Sequence, residues 1–401
     1  MILLGPLPDA PLGVAVSGGG DSVALLMLLQ GAGHDVRVAT VDHRLRPEAA
    51  AEAAGVAQLC KKLGVPHKVL IWDAPNFQGN LQHAAREARR SLLGNWAQQN
   101  GLRDIVLGHT LDDQAETVLM RLARGSGVDG LAGMAATRCE GGLCWHRPLL
   151  GVRRADLRAY LSAAGVAWIE DPSNDDLKYD RVKARRALEL LAPLGVDAAG
   201  LAETAAHMRR ARRALEAATV TLAKRSVKVS EAGELVISGL ADTPREEQLR
   251  LLAGALGWVS GAPYRPRFAS LEGLLDICLR GEAFGKTLHG CMITRRGAMI
   301  VMNREVAATP AIAAVPPIWD GRWEIDLKGT KNLQIRALGE DGLHYCTRWR
   351  DSGHSRASVL ASPSFWRAGQ LVAAPLANFG HISGVKLRDG EKGFYDALIT
   401  H

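Results

Sequence analysis

A short apolar run, Leu12–Val16, leads into Ser17-Gly18-Gly19-Gly20-Asp21-Ser22 and then into an apolar stretch ending near Gln30. Three successive glycines permit backbone angles closed to other residues and let a ligand approach the main chain. Placed between a strand and a helix, they make a turn whose free N–H groups and helix dipole form an anion site. The pattern then repeats. Val36–Val41, His67–Ile71 and Ile105–Leu107 read as strands; Ser22–Gln30, Ala49–Leu63, Leu81–Gln99 and Gln114–Leu122 read as helices. Such alternation predicts an α/β fold with a doubly wound, mostly parallel sheet. Ligands of such sheets bind beyond the carboxyl ends of the strands, so the first turn after a strand is where chemistry is expected.

Thr137–Leu150 reads as a hairpin around Gly141-Gly142, Arg153–Ala164 as a helix, and Asp171–Asn174 as a turn. Near residue 190 the character changes to long Ala/Arg-rich helical stretches, Ala199–Lys224 and Pro244–Leu256, and Pro310, Pro316 and Pro317 lie in an Ala-rich linker. The expected organisation is a catalytic domain over 1–190, a mainly helical domain over 191–308, and a small α+β or β-rich domain over 309–401. With 401 residues, 47% of them hydrophobic and 23% charged, the chain has material for real cores. The formal net charge of +7 fits a polyanionic partner without requiring one. Six cysteines without a Cys-x-x-Cys pair predict reduced thiols, although Cys139 and Cys144 flank a Gly-rich turn and could touch. Met1–Leu12 lacks a basic n-region, and no apolar run approaches a bilayer span, so a cytoplasmic location is expected.

The glycine loop lacks the Lys of a Gly-x-x-x-x-Gly-Lys-Ser/Thr loop and the spacing of a dinucleotide fingerprint. A plain flexible turn is the bland alternative. The loop resembles the Ser-Gly-Gly-x-Asp-Ser signature of the PP-loop ATP pyrophosphatases, which split ATP into an adenylated substrate and pyrophosphate. That resemblance implies phosphate contacts from Ser17, Gly18, Gly19, Gly20 and Ser22, and Mg²⁺ near Asp21. It places Asp42-His43, at the end of the second strand, near the adenosine.

The second constellation is His109-Thr110-Leu111-Asp112-Asp113-Gln114-Ala115-Glu116-Thr117. Asp112 or Asp113 could cap the following helix, and Asp113 and Glu116 would share one helical face. Two carboxylates there repel unless a cation lies between them; dipole complementarity is the bland reading. Arg121 to Met134 follows directly. The whole stretch His109–Met134 closely resembles the signature of the tRNA(Ile)-lysidine synthetase family. So do Asn80-Leu81 with Ala85–Arg89, Arg147–Leu150, and Trp168–Asn174 leading to Tyr179-Asp180-Arg181. The resemblance spans roughly residues 12 to 186. Val182 and Lys183 depart from it, where many relatives carry Asn and Arg.

The family ligates lysine to C2 of the wobble cytidine in a CAU-anticodon tRNA(Ile), through an adenylated cytidine, releasing AMP and pyrophosphate. The resemblance implies ATP and Mg²⁺ as cofactors and tRNA(Ile) and L-lysine as partners. Catalysis would involve Asp21, Arg89, Asp113 and Glu116, with the nucleotide also near His109. The substrate would meet Asp113, Glu116, Arg124, Gly125 and Ser126. A lysine amine is neutral in only about one molecule in a few thousand at pH 7, a handicap of roughly 4–5 kcal/mol. Arg209, Arg210, Arg212, Arg213, Lys224, Arg225 and Lys228 could form an RNA-facing stripe, and the Arg348-Trp349-Arg350 and Trp366-Arg367 groups could clamp RNA. The terminal domain is expected to read the acceptor stem. A tRNA thiolase, which needs paired cysteines, and a non-catalytic tRNA-binding protein are the rival readings. The oligomeric state is left open, with a homodimer as one option.

Overall fold

The computed structural model describes residues 2–45, 47–73, 81–170, 176–262 and 264–399. Asn80 and the Asp171–Asn174 turn of the family signature lie outside these. Two compact units form, Met1–Arg212 and Arg213–His401.

The first unit opens with β1 (Leu12–Ala15), α1 (Gly20–Gly31), β2 (Val36–Asp42), α2 (Ala49–Leu63), β3 (His67–Ile71), α3 (Leu81–Gln99), β4 (Asp104–Leu107), α4 (Leu111–Leu122) and α5 (Val128–Leu131). The hairpin β5 (Thr137–Glu140) and β6 (Leu143–His146) follows, then α6 (Arg154–Ala163) and α7 (Asp180–Leu191). The sheet order is β3-β2-β1-β4-β6-β5, parallel except for the β5–β6 hairpin. β1 is the central, fully buried strand, and Val14 pairs with Val38 on one side and Val106 on the other. The chain winds outward from β1 to β3 and then returns to β4, so the switch point lies between β1 and β4. Leu25, Leu26 and Leu29 of α1 pack with Leu157 and Leu161 of α6. Leu93 and Trp96 of α3 pack with Ile105 and Trp145 in a second cluster.

Two local features differ from expectation. α4 starts at Leu111, three residues early, because Thr110 is its N-cap and Asp113 closes a capping box from the N3 position. Against the expectation of six free thiols, Cys139 and Cys144 form a disulfide, since the antiparallel register sets them directly opposite.

In the second unit, α8 (Ala198–Ser226) enters from the first and leads into β7 (Val227–Val229) and β8 (Leu235–Ile237). α9 (Arg245–Ser260), α10 (Phe268–Leu279), β9 (Gly285–Leu288), β10 (Cys291–Arg296) and β11 (Met299–Arg304) follow. α8 and α9 answer to the two expected helical stretches, but the segment also builds α10 and an antiparallel sheet, β7-β8-β11-β10-β9, that the composition did not suggest. The terminal part is β-rich. It comprises β12 (Ala313–Ala314), β13 (Ile318–Trp319), β14 (Trp323–Ile325), β15 (Gln334–Ala337), α11 (Gly339–Leu343), α12 (Arg356–Leu360), β16 (Pro363–Arg367), β17 (Gln370–Ala373), β18 (Val385–Leu387) and α13 (Gly390–Ile399).

The two units adjoin in sequence within α8, between Arg212 and Arg213. α8 runs unbroken from Ala198 to Ser226. The C-terminal helix returns Phe394 and Leu398 to the core built by Leu252, Leu256, Ile293 and Met302. Among the described residues no helix is long and apolar enough to cross a membrane.

Candidate active site

The loop after β1 and the loop after β4 meet at the switch point. Gly108, leaving β4, approaches α1 so closely that a Cβ there would lie 3.0 Å from the Asp21 carbonyl oxygen. Gly18 has φ +91°, and a Cβ would strike Ile169 at 2.5 Å, so only glycine fits. The Ile169 N–H donates to the Gly18 carbonyl at 3.0 Å and Trp168 covers Gly20, so the Trp168–Glu170 segment braces the loop. The Ser22 hydroxyl accepts from the Ser17 N–H at 3.1 Å and donates to the Gly19 carbonyl at 2.9 Å. No side chain caps α1, whose N-cap is Gly19. The Ser22 N–H already donates to the Gly19 carbonyl at 3.1 Å, and the N–H groups of Gly20 and Asp21 ahead of it face no earlier helical carbonyl and can meet an anion.

Asp113 and Glu116 are buried on the inner face of α4. Asp113 Oδ2 accepts from the Thr110 N–H at 2.8 Å and the Thr110 hydroxyl at 2.9 Å. The cation that a facing carboxylate pair requires is present, and it is protein. Arg154 donates through Nη2 to Asp113 Oδ1 at 3.2 Å, through Nη1 to Glu116 Oε1 at 3.4 Å, and through Nε to Asp21 Oδ2 at 3.0 Å. One guanidinium thus ties the glycine loop to the carboxylate pair. Arg185 adds a bond to Glu116 Oε1 at 3.1 Å, and Arg181 lies 3.6 Å from Asp113 Oδ1. Asp112 accepts from the Arg154 N–H at 2.7 Å and so fixes the start of α6, from which Arg154 projects. Three carboxylates face three guanidiniums, yet Glu116 Oε2 is buried with no hydrogen-bond partner among the described residues.

The electrostatics follow from this packing. Burial pushes the Asp21 carboxyl above its ordinary value, with Arg154 opposing. Burial acts the same way on Asp113, but Arg154, the Thr110 N–H and Arg181 together hold it below the usual carboxylate range. His109, at the exit of β4, is pushed down to about 3 by burial, with Arg147, Arg181 and Arg89 adding to the effect. It is neutral at physiological pH, and its Nδ1 is buried without a hydrogen-bond partner among the described residues. Arg89 is half-buried, and burial together with Arg86 and Arg181 lowers its pKa. Like-charged, partly desolvated guanidiniums of this kind mark a site for a polyanion.

At the end of β2, Asp42 is buried and its Oδ1 accepts from the Arg44 N–H at 2.8 Å. His43 meets Trp72 edge-on at 5.6 Å. A cavity of about 530 Å³, lined by Asp42, Arg44, Leu45, Pro47, Ala50 and Ile71, opens beside them. It lies at the carboxyl edge of the sheet and has room for a nucleoside.

The structure brings Ser17, Gly18, Gly19, Gly20, Asp21, Ser22, Asp113 and Glu116 together, with Arg89 and His109 at their border. It does not bring Arg124, Gly125 and Ser126 to them. Those residues lie past the far end of α4, where Arg124 pairs with Asp180 at 3.0 Å. Helical rise puts them about 16 Å from Asp113. The basic stripe divides as well: Arg209 and Arg212 are half-buried, Arg209 donating to the Ala132 carbonyl, while Arg210 and Arg213 are exposed. Trp366 is buried under Arg336 and belongs to the fold, whereas Trp349 is half-buried under Arg350. Sequence reasoning missed Arg154 and Arg185, and reached Arg181 only as part of a motif.

A PP-loop domain family model matches residues 3–191. A tRNA(Ile)-lysidine synthase of Ruegeria pomeroyi is 46% identical over 98% of this chain and 95% of its own length. Proteins of the same description match from Methylobacterium nodulans, 44% identical over 75% of this chain and 92% of that one, and from Wolbachia pipientis, 35% identical over 80% and 78%.

Proposed function

Because the chain belongs to the tRNA(Ile)-lysidine synthase family of PP-loop proteins, we propose that its site ligates L-lysine to C2 of the wobble cytidine in a CAU-anticodon tRNA(Ile). The enzyme is an ATP-dependent ligase that forms lysidine on tRNA(Ile). The observation that carries the residue-level reading is the Arg154 bridge, which sets Asp113 and Glu116 within one guanidinium's span of Asp21.

The glycine loop and the first turn of α1 grip the pyrophosphate part of ATP through backbone N–H groups. Asp42, His43 and the adjoining cavity take the adenosine. Arg89 and His109 border the reacting phosphate. The positive charge of Arg89 offsets charge that develops when the cytidine O2 attacks and pyrophosphate departs. Adenylation turns a carbonyl oxygen that cannot leave into one that leaves as AMP.

Mg²⁺ fits the donor set as a partner of ATP. Among the described residues no three acidic, His or Cys side chains could hold a metal by themselves. Only Oδ2 of Asp21 is bonded to Arg154, leaving a hard oxygen beside the loop. Mg²⁺ is usually held by one or two carboxylates plus substrate phosphates. There it would neutralise phosphate charge.

The lysine ammonium goes to Asp113 and to the unpartnered Oε2 of Glu116. Asp113 lies below the usual carboxylate range and His109 near 3, so neither takes the ammonium proton at neutral pH. Asp113 and Glu116 recognise and orient the amine, and Asp113 does not deprotonate it. Lysine transfer should therefore quicken about tenfold per pH unit between roughly pH 7 and 9, as the neutral amine fraction grows. A flat single-turnover profile would assign a general base elsewhere. Arg124, Gly125 and Ser126 are too far away for the amine; on their exposed loop they suit the RNA.

The test is mass analysis of tRNA(Ile) treated with enzyme, ATP and lysine. A lysine-sized addition on one cytidine is expected. A sulfur-sized change with no lysine would replace this reading with the thiolase one.

A further inference from the structure

The second unit holds a cavity of about 280 Å³ among the carboxyl end of α9, the turn before β14 and the first turn of α13. Glycines 257, 261, 321 and 393 leave its walls open, and Trp258, Arg322, Arg388 and Asp389 supply its side chains. Its charge is set by Arg322, which is 6% exposed. The guanidinium lies over the Trp258 ring at 5.1 Å and donates through Nη2 to the Gly233 carbonyl at 2.7 Å. Its Nε is buried with no hydrogen-bond partner among the described residues.

The nearby carboxylate is already committed. Asp320 accepts from Arg304 Nε at 2.8 Å and Nη2 at 2.9 Å, a two-pronged pair. Two buried guanidiniums and one carboxylate leave a net positive charge beside the cavity, an arrangement that burial penalises unless an anion joins it. Burial lowers Arg322 only to about 10, so it stays charged at neutral pH.

Two independent features add to this. The Gly393 N–H bonds back to the Asp389 carbonyl at 2.9 Å, so the N–H groups of Gly390, Glu391 and Lys392 have no carbonyl a turn earlier to bond. The positive end of α13 therefore lies at the cavity. Arg388 stands at the rim, 46% exposed, with the 64% exposed Asp389 carboxylate only 3.8 Å away. On the opposite wall the Gly257 carbonyl already accepts from the Gly261 N–H at 2.9 Å and the Ser260 hydroxyl at 3.2 Å, while the carbonyls that follow it in the last turn of α9 have no helical donor. Donors on one side and acceptors on the other suit a group that carries both an anion and a hydroxyl. The volume admits a ribose-phosphate unit and is small for a whole nucleotide.

We propose that this cavity is an RNA-backbone site. It takes one phosphate of the RNA substrate on Arg322, Arg388 and the first turn of α13, with the adjoining ribose 2′-hydroxyl donating to the carbonyl end of α9. The inference rests on the family's RNA substrate and extends it to a contact far in sequence from the catalytic loops.

The test is filter retention of tRNA(Ile) across a salt series without ATP or lysine, for the wild type, Arg388→Gln and Arg322→Gln, each first checked for a cooperative melt. Arg388→Gln, at the rim, should keep its fold and weaken binding about three- to tenfold. It should also lower the salt slope by about one. Arg322→Gln, where folded, should do the same. Unchanged affinity and slope in folded Arg388→Gln would overturn the proposal, whatever becomes of Arg322→Gln. The assignment is equally wrong if inorganic phosphate raises the wild-type melting temperature, but not that of Arg388→Gln, while tRNA binds both alike; the cavity is then a small-anion site. Failure of lysine transfer by the wild type would sink the catalytic reading and leave these binding data standing.

Discussion

At the scale of single residues, Arg154 faces three carboxylates at once, and removing it leaves Arg181 beside Asp113, Arg185 beside Glu116 and, for Asp21, the charge of Arg158. Breaking a buried charge group by deleting one partner is costly, so Arg154→Gln should destabilise the first unit by about 2–4 kcal/mol. Thermal melts would register this, and lysine transfer should fall with it. A melting temperature unchanged within a degree would show that the bridge contributes nothing. His109 makes a second residue-level prediction. Its folded value near 3 lies below the 6.5 of an unfolded histidine, so the unfolded chain binds a proton first as pH falls. Stability from this group is complete above pH 6.5 and is lost toward pH 3, by up to about 1.4 kcal/mol per unit. Urea midpoints from pH 7 to 4 should show a shallower decline in His109→Gln than in the wild type; parallel curves would exclude it.

At the scale of elements, the start of α4 combines two roles. Thr110 caps the helix and, with the same hydroxyl, holds Asp113 in place. Thr110→Val should cost about 1 kcal/mol as a lost cap. It should also raise the KM for lysine, because the Asp113 carboxylate loses the hydroxyl contact and keeps, from residue 110, only the backbone N–H. A stability loss with an unaltered KM would confine Thr110 to capping. This helix was legible in the sequence because its signals are local: a strand, a Thr/Asp cluster and an apolar-periodic run within a few positions; its start was not, since the capping reading fell on Asp112 or Asp113 instead of Thr110. The glycine loop was legible for the same reason. Arg154 was not, since it stands 133 positions from Asp21 and looks like any arginine at the start of a surface helix. The strands β9 to β11 were passed over because their segment follows long helical stretches, although Cys291 and Ile293 opposite Met302 and Arg304 mark a half-buried hairpin. Cys139 and Cys144 needed the register itself, which composition does not contain.

At the scale of the whole molecule, each unit has its own core, and the chain's last helix belongs to the core begun by α9 and not to a separate tail. Phe394 is fully buried there, so Phe394→Ala should cost about 3–5 kcal/mol and lower the melting of the second unit. Calorimetry that showed no change would detach α13 from that core. In the first unit, the loop proposed to grip ATP and the carboxylates proposed to hold the amine share one guanidinium, that of Arg154. The most direct measurement is the kinetics of Glu116→Gln against tRNA(Ile), following both AMP attached to tRNA and lysine incorporated. Adenylated tRNA should still form at near the wild-type rate while the KM for lysine rises at least tenfold. Loss of adenylation with an unchanged lysine KM would contradict this, placing Glu116 with the nucleotide instead of the amine.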